Sequence, residues 1–160
     1  MRLNTLIRRV ERVRDEVVPA VRAACEKEAA WIVSANREQL AAGLNAEGVL
    51  MNGGYYSRQH KEARMSNGFP VDHVYLAYLT GDFQREMYVE YSDTGFAVQS
   101  RDWKNENAMY SMEYGLWPTG GRNWPHYGKI YGLTAEKRGE LARRIAPDVA
   151  RAVRRKLVNA

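Results

Sequence analysis

A stretch near the middle of the chain predicts a β-hairpin, and this hairpin limits how the remaining residues can fold. Apolar and polar side chains alternate in residues 87–91 (MYVEY) and 96–100 (FAVQS), and the four residues SDTG separate them, with Gly95 at the position where a positive φ would cost least. The register that gathers the apolar side chains pairs Met87 with Ser100, Val89 with Val98 and Tyr91 with Phe96. An isolated hairpin is marginally stable in water, so other elements must cover its apolar face.

The two ends of the chain supply helices that can cover it. Apolar residues recur every three or four positions from Leu3 to about Ala41, and again after Thr134, a predicted N-cap. Pro19 predicts a kink or a break in the first helix, and Pro147 predicts a kink in the last one. The sequence therefore predicts an α+β fold, in which a long N-terminal helix, kinked or broken near Pro19, and a C-terminal helix pack on a small antiparallel sheet built around a hairpin at 83–101.

The chain of 160 residues fits one domain with four segments. We expect an N-terminal helical segment (1–42), a region of loop, short helix and hairpin (43–113), a loop rich in Trp, Pro and Gly (114–132) and the C-terminal helix (133–158). The loop contains W-P-x-x-G twice, at 117–121 and 124–128. Proline and glycine at this density oppose regular structure.

Bulk composition narrows the classes of protein. A net charge of +5 permits contact with nucleic acid or with an acidic protein surface. Cys25 is the single cysteine, which excludes a disulfide within the chain, and its helical position predicts a small buried side chain. Residues 1–16 carry charges every few positions, so we expect neither a signal peptide nor a membrane span there, and synthesis in the cytoplasm.

The sequence contains no recognisable catalytic motif. It has no phosphate-binding G-x-x-x-x-G-K-[ST], no H-E-x-x-H and no G-x-S-x-G. Its three histidines lie far apart, and its aspartates near the hairpin suit turns and caps. We therefore expect no catalytic residue, no metal and no cofactor, and we predict that the protein is not an enzyme.

Several short fragments, in this order along the chain, resemble the small head–tail joining proteins of long-tailed bacteriophages. These proteins are also called tail-completion, neck or virion-morphogenesis proteins, and the likeness is to those in phages and prophages of Bacteroides-like bacteria. The fragments are NREQL at 36–40, GLN at 43–45 with Gly48, YYS at 55–57, LTGDF at 79–83, SRD at 100–102, EYG at 113–115 and IYGLT at 130–134. The W-P-x-x-G loop is longer than the resemblance predicts, and the resemblance does not predict the arginine-rich N-terminal helix.

The resemblance implies a mechanical role in the virion. Such a protein is made in the host cytoplasm, joins a ring between head and tail, and contacts the head connector and the tail tube, with no membrane partner. On this basis we expect Trp117, Trp124 and Tyr127 to anchor a partner. An electrostatic surface is expected at Arg151, Arg154 and Arg155, which could include non-specific contact with DNA. Two alternatives stay open: a nucleic-acid-binding accessory protein that uses arginine-rich helices, and an enzyme without a recognisable motif.

Overall fold

A computed structural model of the chain describes residues 3–51, 58–69, 71, 82–92, 95–102 and 128–158. Its elements, in chain order, are helices α1 (Leu3–Lys27), α2 (Ala29–Ala41), α3 (Arg58–Ser66) and α4 (Asp82–Arg85), strands β1 (Met87–Tyr91) and β2 (Phe96–Ser100), and helix α5 (Ala135–Val158). Helices at both ends and a two-stranded antiparallel sheet confirm the predicted α+β class. None of the helices described here combines the length and the apolar composition that crossing a membrane requires.

The hairpin has the predicted register. Strands β1 and β2 pair Met87 with Ser100, Val89 with Val98 and Tyr91 with Phe96. The N–H of Ser92 donates to the carbonyl oxygen of Gly95 across 2.9 Å, which closes the turn. The expectation of a positive φ at Gly95 is wrong, because this residue is not among the glycines with positive φ. The hydrogen bond of Ser92 holds the strand ends together without that conformation.

Helix α5 runs antiparallel to α1 and α2. Lys156 pairs with Glu16 across 3.2 Å, and Arg144 pairs with Glu28 across 2.7 Å, so later residues of α5 meet earlier residues of the N-terminal helices. The predicted apolar run of α5 is buried or half-buried at Leu141, Ile145, Val149 and Val153. Burial of facing helical stripes, more than intrinsic helix propensity, stabilises such long helices.

The N-terminal helices are interrupted at Glu28 and not at Pro19. Helix α1 continues through Pro19. That residue is exposed, so water can solvate the carbonyl group that loses its helical N–H partner. The interruption lies where the carbonyl oxygen of Cys25 accepts two hydrogen bonds, from the N–H of Glu28 and from the hydroxyl group of Tyr91, each 3.0 Å long. The hairpin thus contacts the point at which α1 gives way to α2.

The core lies between α2, the hairpin and two further segments, one that follows α2 and one that precedes α5. Its fully buried apolar side chains are Ile32, Leu40, Met51, Phe83 and Ile130. The rings of Phe83 and Tyr131 lie 5.8 Å apart between centroids, within the range of favourable aromatic pairs. One core therefore joins the helices α1, α2, α4 and α5 to the hairpin, whereas none of the described residues of α3 belongs to it.

The start of α5 confirms the predicted cap. The N–H of Lys137 donates to the hydroxyl oxygen of Thr134 across 3.3 Å. Helix α5 then continues through Pro147 to Val158. Within the region 43–113 the sequence also predicts a helix cap at Ser57, a short strand or helical turn at 72–79 and a short helix in 102–113. These predictions, apart from residue 102, and the loop over 114–127 lie outside the described residues.

Replacing Tyr91 by Phe tests the link between the hairpin and the helix interruption. Tyr91→Phe removes only the hydroxyl that donates to Cys25, so we expect the free energy of unfolding to fall by about 1 kcal/mol. Urea unfolding followed by circular dichroism measures the change. Tyr88→Phe is the matched control, because the Tyr88 hydroxyl bonds to the half-buried side chain of Gln99 within the hairpin and not to a helix. Equal losses in the two variants would contradict the account.

Candidate functional site

Two amide side chains on α2 bind the chain segment that leads into α5. The Nδ2 of Asn36 and the Nε2 of Gln39 both donate to the carbonyl oxygen of Gly132, across 2.7 and 3.1 Å. The Oε1 of Gln39 accepts from the N–H of Thr134 across 2.9 Å. Asn36 is 0% and Gln39 4% exposed. Because buried amides are costly unless they are hydrogen-bonded, these contacts fix the position of the segment.

The turn that follows α2 also contacts the chain segment that leads into α5. The Oδ1 of Asn45 accepts from the N–H groups of Glu47 and Val49, across 3.0 and 2.9 Å, and so shapes the turn after α2. The N–H of Ala46 then donates to the carbonyl oxygen of Lys129 across 2.7 Å. We call the contacts of Asn36, Gln39 and Ala46 with residues 129–134, together with the turn that Asn45 shapes, the amide junction.

Two glycines make the close approach feasible. Gly128 has a φ of 69°, and a Cβ there would run into the side-chain amide of Asn45. Gly132 has a φ of 120°, a backbone conformation that is essentially restricted to glycine. The amide junction therefore depends on residue types that lack a side chain at these two points.

The amide junction brings together three of the fragments that carry the resemblance to head–tail joining proteins. NREQL supplies Asn36 and Gln39, GLN supplies Asn45, and IYGLT supplies Gly132 and Thr134. The groups in contact are side-chain amides and backbone N–H and C=O groups, none of which titrates near neutral pH. The arrangement can hold chain segments in place, and it offers no acid, base or nucleophile for chemistry.

Helix α5 is strongly basic on its own. It carries eight basic and three acidic residues, a net charge of +5 that equals the net charge of the whole chain. Three of these cations pair with acidic residues where α5 contacts the N-terminal helices, a contact that we call the seam. Lys137 pairs with Glu38 at 3.4 Å, in addition to the pairs of Arg144 and Lys156 described above. The ring of Trp31 lies between Lys137 and Arg144, 5.9 and 5.0 Å from the cationic groups.

The three arginines predicted to form an electrostatic surface are all exposed on α5. Arg151, Arg154 and Arg155 lie within its last two turns. Arg151 pairs with Asp148 at 3.4 Å. A hydrogen bond from Lys27 and its positive charge hold the pKa of Asp148 below its usual range, and Arg151 and Arg155 act in the same direction. Asp148 is thus shared between several cations.

Sequence reasoning missed one further arginine on this surface. Arg143 is exposed, and it precedes Arg154 by eleven residues. Eleven residues at 3.6 per turn bring the chain back to nearly the same side of the helix. That spacing was available in the sequence. We call Arg143, Arg151, Arg154 and Arg155 the outer arginine face.

A small apolar cleft lies between α1 and the hairpin turn. Its volume is about 240 Å³, and its lining includes Val17, Val21, Cys25, Tyr91 and Phe96. The prediction that Cys25 is buried is confirmed. Burial raises the pKa of the Cys25 thiol, and the negative charge of Glu28 adds to the effect. The protonated thiol is a poor nucleophile, so the cleft is suited to apolar contact and not to covalent chemistry.

The remaining predicted site residues cannot be placed on the fold. Trp117, Trp124 and Tyr127 lie outside the described residues. Within the part of the chain that is described, no three His, Cys, Asp or Glu side chains are grouped so that they could hold a metal ion.

No family model, curated protein or solved structure matches this chain.

Replacing Gly132 by Ala tests the amide junction. A φ of 120° is strained for any residue with a Cβ, so we expect Gly132→Ala to lower the free energy of unfolding by about 1 to 3 kcal/mol. Gly139 lies inside α5, where the same change has room, and Gly139→Ala should raise the free energy of unfolding by about 0.5 to 1 kcal/mol. Both values come from urea unfolding. A Gly132→Ala variant as stable as the parent would contradict the role given to this glycine.

Proposed function

We propose that this chain is a structural protein of a phage or prophage virion, placed at the head–tail junction, where it acts through protein–protein interfaces and without catalysis. The observation that carries the proposal is the amide junction. Two of the fragments that resemble head–tail joining proteins, NREQL and IYGLT, lie far apart in the sequence, and Asn36 and Gln39 of the first bind Gly132 and Thr134 of the second. The resemblance therefore falls on residues that determine the shape of the chain.

This placement supports a mechanical role over a chemical one. Proteins that act by shape share the residues that fix their frame, whereas their contact surfaces differ with their partners. Asn36 and Gln39 are buried and bind backbone groups, so neither is available to a substrate. The frame that they fix carries the helices α1, α2 and α5, whose exposed sides are free to meet other subunits.

A ring of identical subunits needs two different contact patches on each chain, because the contact is head-to-tail. The described surface offers two apolar patches built from different residues. One is the apolar cleft, at whose edge Val18 is 54% exposed, and the other is the turn after α2, where Val49 and Leu50 are 57% and 47% exposed. Trp117, Trp124 and Tyr127 are proposed as further anchors, toward the head connector or the tail tube.

Deletion of the coding sequence tests the proposal. In a phage or induced prophage that carries it, we expect DNA-filled heads and complete tails to accumulate separately, as seen by negative-stain electron microscopy. Purified protein added to the lysate should restore joined particles. A variant with Trp117, Trp124 and Tyr127 replaced by Ala should fold, by circular dichroism, yet fail to restore joining. Joined and infectious particles without the protein would refute the proposal.

A further inference from the structure

We infer that the outer arginine face binds the phosphate backbone of duplex DNA. This inference goes beyond the proposed role at the head–tail junction and does not require it, because it depends only on the charges and shape of α5. The face consists of Arg143, Arg151, Arg154 and Arg155, all exposed on one helix.

The acidic residues of the N-terminal segment pair with other cations of α5 and not with the outer arginine face. Glu16 on α1, Glu28 at the interruption and Glu38 on α2 pair with Lys156, Arg144 and Lys137 in the seam. Within the described residues, neither Arg143, Arg154 nor Arg155 forms an ion pair. Asp148 is bonded to Lys27 and Arg151, and Glu140, one turn before Arg143, pairs with Lys137. Three of the four arginines of the outer arginine face therefore carry charges that no ion pair offsets within the described residues.

The side chains between the arginines are small. Ala146, Pro147 and Ala150 are exposed on the same part of α5. The exposed large apolar residues of the described chain, Val18, Val49, Leu50 and Met65, all lie on other segments. The buried centre of a protein–protein interface is apolar and depleted in charge, and this face has no such centre. Contact with phosphates requires cations and close approach, and the face provides both.

The length of the face also fits a duplex. From Arg143 to Arg154 the helix rises about 16 Å, at 1.5 Å per residue. Over that distance B-DNA presents on the order of ten phosphates on its two strands. Arginine is the cation best suited to them, because its planar guanidinium group donates two parallel hydrogen bonds to one phosphate. Lysine predominates in the seam, at Lys27, Lys137 and Lys156, and arginine on the outer face.

The test is binding of the purified full chain to a short fluorescein-labelled duplex, followed by fluorescence anisotropy at several salt concentrations. Four phosphate contacts predict an affinity that falls roughly a hundredfold between about 50 and 200 mM NaCl. Arg143→Gln with Arg154→Gln removes two arginines that lack ion pairs, so the slope of log affinity against log salt should become shallower by about 2. Circular dichroism and the unfolding temperature should not change, because both side chains are exposed.

A matched control separates this face from the overall charge. Lys61→Gln with Lys129→Gln removes two exposed charges that lie outside α5 and that form no ion pair within the described residues, and we expect it to leave the salt dependence unchanged. Equal weakening by the two double variants would overturn the inference, since general charge would then explain the binding. Absence of binding at the lowest salt would overturn it too. Displacement of the duplex by polyglutamate at equal charge concentration would assign the face to an acidic protein and overturn it as well.

Discussion

Hydrogen bonds from two buried amide side chains on α2 determine where the segment before α5, and with it α5, lies. Asn36 and Gln39 bind Gly132 and Thr134, and Thr134 is the residue that caps α5. The direction in which α5 leaves this point aligns it with α1 and α2, and the ion pairs of the seam follow from that alignment. These surface pairs are each worth little, because solvent screens them. The amides are buried, so their loss would cost more than the loss of any one ion pair.

The hairpin is fixed by a separate contact, at the interruption between α1 and α2. Tyr91 donates to the carbonyl oxygen of Cys25, and burial raises the pKa of this tyrosine, with Cys25 and Glu26 adding to the effect. The hydroxyl therefore stays protonated as a donor through the ordinary pH range. With both ends of α2 held in this way, the apolar cleft and the outer arginine face are presented by a frame with defined geometry, as a subunit that works by docking requires.

The hairpin and the helices were predictable from the sequence because each has a strong local pattern. Alternation sets the register around SDTG, and the spacing of apolar residues sets α1 and α5. The position of the helix interruption was not predictable from the sequence. Helix α1 continues through Pro19 because that residue is exposed, and the interruption lies at Glu28, where Tyr91, far away in the sequence, binds the carbonyl oxygen of Cys25. The amide junction was missed because Asn36 and Gln39 resemble solvated helix residues until Gly132 is placed against them. Their role became visible only in the tertiary structure.

Hydrogen–deuterium exchange measured by NMR tests most directly whether the amide junction is part of the stable frame. The relevant groups are the N–H of Thr134, bound by Gln39, the N–H of Val49, bound by Asn45, and the N–H of Ala46, bound by Lys129. All three lie outside regular secondary structure. We predict that they exchange as slowly as the interior of α2, through global unfolding only. Rapid exchange of the three groups, with α2 and α5 still protected, would contradict the central role given to the junction.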